Sequence, residues 1–197
     1  MAWGIFHEIG RKIIHITILI VLGAFFFIEK RLGNKVALLF LIGLLIIFLI
    51  LEYLRIELRW KMPFFSQFIR PKEQNRMYGV VYFLSSTIIS LAVFNQNIAL
   101  AALLMTTFGD MVAALIGKKY GTTLIYKNKT WAGCLAELVT NLIVGFAVIR
   151  NILGNIYIIL GMAIVATVVE TLVDELDDNL LIPIFSGFVG QVILLSL

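Results

Sequence analysis

Thr107 to Glu137 reads TFGDMVAALIGKKYGTTLIYKNKTWAGCLAE and concentrates residue types that handle phosphate. Gly109-Asp110 interrupts an apolar helical run, and a carboxylate there must be protonated, paired or bound to a cation. The chain beyond it carries Lys118, Lys119, Lys127 and Lys129 with Gly117, Gly121 and Gly133. Magnesium (Mg²⁺) bridging a nucleotide's phosphates is the most economical partner for Asp110, and a helix-packing ion pair with a lysine is the simpler alternative. The spacing is not a Walker A loop, because Gly117-Lys118 lacks both the upstream glycine and the following Ser or Thr.

Thr130 to Gly133 opens the next apolar run, where free backbone N–H groups and the helix dipole favour phosphate. Lys127, Asn128 and Lys129 add polar and positive groups at that place. Glu137 and Asn141 continue one face inward at i, i+4 spacing, with Glu137 either a second metal ligand or the partner of a lysine. Farther on, Glu170, Asp174, Asp177 and Asp178 share one broad helical face, followed by Asn179 and Pro183. Acidic groups crowded at a helix C-terminus oppose its dipole, so they call for a cation, and Asp177, Asp178 and Asn179 are read as metal or nucleotide ligands. Near the N-terminus Glu8, Arg11, Lys12 and His15 fall on one helix face. They form either an interfacial charged face or part of the same site, with His15 just inside the apolar region.

The elements that must position these groups are membrane spans. The chain has 197 residues, 61% of them hydrophobic, and a mean hydropathy of +1.01. A soluble domain is nearer half apolar. Seven apolar runs stand out: Ile13–Ile28, Val36–Leu51, Met77–Phe94, Ile98–Ile116, Trp131–Ile149, Ile156–Leu172 and Leu180–Leu197. The expectation is an all-α polytopic bundle of about seven transmembrane helices, a single catalytic domain over residues 1–197. The first run resembles a signal peptide but ends in Phe-Phe-Phe-Ile with no small-residue cleavage site, so it reads as a retained helix. With seven spans, twelve Lys and Arg fall on the side of the N-terminus and four on the other, which puts the N-terminus in the cytoplasm. Every candidate cluster lies on that side. Basic residues confined to short loops give no nucleic-acid signal, and the lone Cys134 makes no internal disulfide. The segment from Glu52 to Arg76 mixes six basic residues with Trp60, Phe64, Phe65 and Phe68, as suits an anionic membrane surface. Nothing in the sequence sets an oligomeric state.

Carboxylates, lysines and helix-start amides at one face of a membrane protein fit phosphoryl or nucleotidyl transfer from a nucleotide to a lipid. The ordered set Arg11-Lys12 with His15, Gly109-Asp110 with Ala113, Gly117 and Gly121, Lys127-Asn128-Lys129-Thr130 with Gly133, and Glu170 with Asp177-Asp178-Asn179 and Pro183 resembles the CTP-dependent polyprenol and lipid kinases. That family includes dolichol kinase, phytol kinase and CTP-dependent diacylglycerol kinase. The resemblance implies CTP as donor, Mg²⁺ as cofactor and a membrane lipid hydroxyl as acceptor. It implies Asp110, Asp177, Asp178, Glu137 and Glu170 as metal ligands. Gly109, Lys118, Lys127, Asn128, Lys129, Thr130, Gly133 and Asn179 would bind nucleotide, and Arg11, Lys12, His15 and Asp110 would carry catalysis. The CTP:phosphatidate cytidylyltransferases share the Gly-Asp and Lys-Thr-x-x-Gly elements. Their C-terminal Asp-Arg and Asp-Ser signature is absent here, which favours the kinases. From the kinases' own pattern the chain departs in its shortness beside the eukaryotic dolichol kinases and at Trp131-Ala132, which stands where an acidic residue often precedes the glycine. An ion-coupled transporter is the remaining reading, without an internal repeat to support it. The expected location is a prokaryotic cell membrane with the site facing the cytoplasm.

Overall fold

The structure is a computed structural model that describes residues 5–58, 77–127, 129–150, 152, 154–173 and 177–197, with side chains from Leu19 onward. The elements in order are α1 (Ile5–Leu32), α2 (Asn34–Ile56), α3 (Gly79–Val93), α4 (Gln96–Leu104), a π-helical turn (Met105–Gly109) and α5 (Asp110–Tyr120). They continue with β1 (Leu124–Tyr126), β2 (Lys129–Thr130), α6 (Trp131–Val148), α7 (Asn155–Leu172) and α8 (Asp178–Ser196). Each apolar run of the sequence lies within or along one helical rod. The fourth rod runs unbroken from Gln96 to Tyr120 through the π turn.

Among the described residues, five helical segments are long and apolar enough to cross a membrane: Asn34–Ile56, Gln96–Tyr120, Trp131–Val148, Asn155–Leu172 and Asp178–Ser196. At about 1.5 Å per residue an 18-residue helix reaches about 27 Å, close to the hydrocarbon thickness. The all-α expectation needs one addition. Lys129-Thr130 pairs antiparallel with Leu124–Tyr126, so a small hairpin stands where a loop was expected.

The chain divides into two compact units, Met1–Ile88 and Ile89–Leu197. In the first, α1 packs on α2 through a one-residue connection. Gly33 makes that reversal at φ 90°, a conformation that a side chain disfavours. Leu22, Phe25, Ala37 and Leu41 are buried. The hydroxyls of Ser85, Ser86 and Thr87 on α3 bond back to Val81 and Phe83 carbonyls, which satisfies them within their own helix.

The second unit has an apolar core of Ile98, Ala101, Ala102, Met105, Ile149, Ile158, Ile159, Met162, Ala166 and Ile182. Asn95 caps α4 by accepting from Asn97 N–H at 3.0 Å, and its own N–H donates to Gln191 Oε1 at 2.7 Å. The outward faces are the apolar ones. Leu135, Val139, Ile143 and Phe146 on α6, and Ile164, Val168 and Leu172 on α7, are exposed, while Glu137, Asn141, Thr167 and Glu170 are buried on the same helices. Apolar residues outside and polar ones inside suit a lipid surround, and the chain is an integral membrane protein.

Candidate functional site

Small residues bring α5 and α6 together. Gly109, Ala113, Gly117 and Gly121 recur every four residues, which puts them on one helical stripe. Gly133, Glu137, Asn141 and Gly145 do the same on α6. A Cβ at Gly133 would lie 2.9 Å from the Ala113 carbonyl oxygen, and one at Gly117 would lie 3.0 Å from Thr130 Oγ1. A Cβ at Gly109 would lie 2.5 Å from Asn141 Oδ1, so only glycine lets the polar α6 stripe approach at the depth of Asp110. The π turn ends at Gly109 and rotates Asp110 relative to α4, as π turns do at functional sites.

Asp110 at the start of α5, Glu170 in the last turn of α7 and Asp178 at the start of α8 converge, each offering a carboxylate oxygen within 4.8 Å of the others. Lys129 on β2 donates to Glu170 Oε1. The other Glu170 oxygen, Oε2, is buried and has no hydrogen-bond partner, although Glu170 is 2% exposed. An orphaned carboxylate oxygen beside two further carboxylates is the arrangement a hard divalent cation satisfies. Among the described residues, Asp110, Glu170 and Asp178 thus have the chemistry to hold Mg²⁺. Burial alone would lower the Lys129 pKa, but the Glu170 carboxylate, with Asp178 and Asp110, outweighs it and raises the ammonium above its ordinary 10.5. Lys129 therefore stays charged, with its side chain 39% exposed and open to a further anion.

Asp177 stands beside this trio in another role. Its Oδ1 accepts from Asn179 N–H at 3.0 Å and caps α8. The Asn179 amide bridges the neighbouring carboxylates, donating to Asp177 Oδ1 at 2.8 Å and Asp178 Oδ1 at 3.2 Å. Pro183, buried in α8, lacks the N–H that would bond back to the Asn179 carbonyl. Thr130 caps α6, its Oγ1 accepting from Gly133 N–H at 3.2 Å, and Trp131 N–H donates to the Thr123 carbonyl. Part of the amide cradle read from the sequence is thus committed to the fold. Lys118 and Lys127 are exposed on the flanks, with the Lys127 ammonium 5.3 Å from the Tyr126 ring centroid.

Glu137 is 2% exposed and lies 3.5 Å from Asn141 Nδ2, which donates to Thr167 Oγ1 at 3.1 Å. Asn141, four residues after Glu137, was legible as continuing its face, whereas Thr167 lies in an apolar run and was not. The side chains of Arg11, Lys12 and His15, and all of Asn128, Asp174 and Glu175, lie outside the described residues, as does most of the aromatic and basic segment after α2.

The chain is 31% identical over 147 residues to CTP-dependent diacylglycerol kinase 1 of Saccharomyces cerevisiae, covering 70% of this chain and 49% of that protein. It is 27% identical over 129 residues to chloroplastic phytol kinase 1 of Arabidopsis thaliana, covering 57% of this chain and 42% of that protein. The chain belongs to the family of these lipid kinases. An uncharacterized protein of Rickettsia prowazekii is 30% identical over 186 residues, 90% of each chain. The chain spans about half the length of the named family members, 49% and 42%. No family model and no solved structure matches it.

Proposed function

We propose that this protein transfers the γ-phosphoryl group of CTP to the hydroxyl of a membrane lipid, a diacylglycerol or a prenol. The observation that carries this reading is the convergence of Asp110, Glu170 and Asp178 within 4.8 Å beside Lys129. Phosphoryl transfer needs little covalent help from protein; it needs positioning and neutralisation of phosphate charge. Asp110, Glu170 and Asp178 would hold Mg²⁺, which when bound neutralises the β- and γ-phosphates. Lys129 carries its charge to the same point, and Lys118 and Lys127 receive the remaining phosphate oxygens. The lipid hydroxyl attacks the γ-phosphorus, the bond to the β-phosphate oxygen breaks, CDP leaves, and the hydroxyl proton passes to a carboxylate of the cluster.

The site end of the second unit carries Lys118, Lys119, Lys127 and Lys129, while Arg150 follows the other end of α6. By the positive-inside rule that end faces the cytoplasm, where CTP is found. The bacterial relative of matching length supports a prokaryotic cell membrane.

Purified protein in detergent, given Mg²⁺, CTP and a panel of prenols, diacylglycerol and phosphatidate, tests the reading. CDP formed together with a phosphorylated lipid supports it. Pyrophosphate with a CDP-lipid overturns it in favour of cytidylyl transfer.

A further inference from the structure

The hairpin that carries Lys129 has an outward surface that the carboxylate cluster does not use. Leu124 and Tyr126 alternate on one face of β1 and are exposed, Leu124 to 61%, while Ile125 between them is half-buried. Tyr120 at the end of α5 and Trp131 at the start of α6 flank them in the chain and are exposed too, Trp131 to 55%. Four large apolar side chains exposed on one short segment mark an interaction surface.

The neighbouring helices say what covers it. A Cβ at Gly133 would lie 3.4 Å from Gly117 Cα, so the last turns of α5 stand beside the first turn of α6. On α6 an exposed stripe runs Trp131, Leu135, Val139 and Ile143, and on α5 exposed Leu115 is followed one turn later by Lys119. The Trp131 N–H donates to the Thr123 carbonyl at 3.1 Å, which fastens β1 at that level. Both apolar stripes thus stop where Trp131, Tyr120 and Lys119 stand, and Trp and Tyr at the end of a lipid-facing stripe mark the boundary with water. The Lys119 ammonium lies 5.1 Å from the Tyr120 ring centroid, and a lysine at such a boundary lays its stem on apolar surface and lifts its charge among the headgroups. The charge has one sign. Between Asp110 and Glu137 the sequence holds Lys118, Lys119, Lys127 and Lys129 and no acid, and the complement of that segment is a negatively charged headgroup layer.

We propose that the hairpin of β1 and β2 is a surface anchor, with Leu124, Tyr126 and Trp131 seated in the headgroup layer of an anionic bilayer and Lys119 meeting its phosphates. Docking steadies β2, and with it the pairing of Lys129 with Glu170. The anchor is independent of the phosphoryl-transfer reading, and its test measures no turnover.

The full chain in nanodiscs, carrying Cys134→Ser and a nitroxide attached through Leu124→Cys, tests the anchor by electron paramagnetic resonance. Collision of the label with lipid-soluble oxygen should exceed collision with a water-soluble nickel chelate, and the excess should grow when phosphatidylglycerol is added to phosphatidylcholine. Lys119→Gln should lower the ratio of docked to undocked label about fivefold in the anionic lipid and leave it unchanged in phosphatidylcholine alone. A label attached through Tyr126→Cys, on the same strand face, should report the same depth, which covers failure of the first variant to fold. Labels that meet the nickel chelate as freely as oxygen in both lipids would overturn the anchor. Equal depth with and without phosphatidylglycerol would overturn its assignment to an anionic surface.

Discussion

Lys129 and Glu170, 41 residues apart in the chain, form an ion pair that ties the hairpin to the last turn of α7. Breaking the pair leaves the buried Glu170 carboxylate without its cation. Lys129→Met should cost about 1–3 kcal/mol of stability, toward the low end because the lysine is partly exposed. Thermal unfolding in detergent measures this. The double variant with Glu170→Gln should recover part of the stability and none of the turnover. Because the lysine pKa is raised in the fold, the pair contributes fully below the ordinary value of 10.5 and fades only as pH rises through the higher folded value. Stability between neutral and mildly alkaline pH should therefore show no titration of Lys129.

Asp110→Asn removes one of three converging carboxylates without changing shape. Turnover should fall about 10²–10³-fold while circular dichroism and detergent elution stay normal. Mn²⁺ binding followed by electron paramagnetic resonance should weaken in this variant and in Asp178→Asn. Near-normal turnover in Asp110→Asn would remove the metal assignment.

Asn179 holds Asp178 through its side-chain amide, so its effect is on the orientation of a ligand. Asn179→Ala should lower Mn²⁺ affinity about 10–100-fold, the range found when ligand-orienting partners are lost. A variant whose CTP KM rises with Mn²⁺ affinity unchanged would instead mark direct nucleotide contact.

Gly109 faces Asn141 with no room for a methyl group, 2.5 Å from Cβ to Oδ1. Gly109→Ala should destabilise by about 1–3 kcal/mol through overpacking. Shortening the neighbour in Gly109→Ala/Asn141→Ala should relieve the overpacking but return only part of the stability, because the Asn141 bond to Thr167 and the amide beside buried Glu137 are lost. Unchanged stability in the single variant would show that the helices part more easily than the geometry implies.

The membrane character, the rods along the apolar runs and the residue types of the site were legible in the sequence, because each rests on local pattern. Hydrophobic length sets a span, and a carboxylate near a lysine-rich loop signals phosphate wherever it is placed. The trio itself was not separable from its neighbours. Asp177 and Asp178 are adjacent and chemically alike and both accept from Asn179, yet it is Asp178 that joins Asp110 and Glu170. That difference depends on how the start of α8 meets α5 and α7. The polar line through Asn141 and Thr167 joins two helices 26 residues apart, and no periodicity within either one reveals it. The pairing of Lys129 with Glu170 likewise follows from how the hairpin meets α7, as does the orphaned oxygen beside it. Residue types and local spacing alone determined the kind of chemistry this chain can perform. Which of its acids meet at one point was decided only by tertiary packing, since long-range contact depends on how small-residue stripes let helices approach.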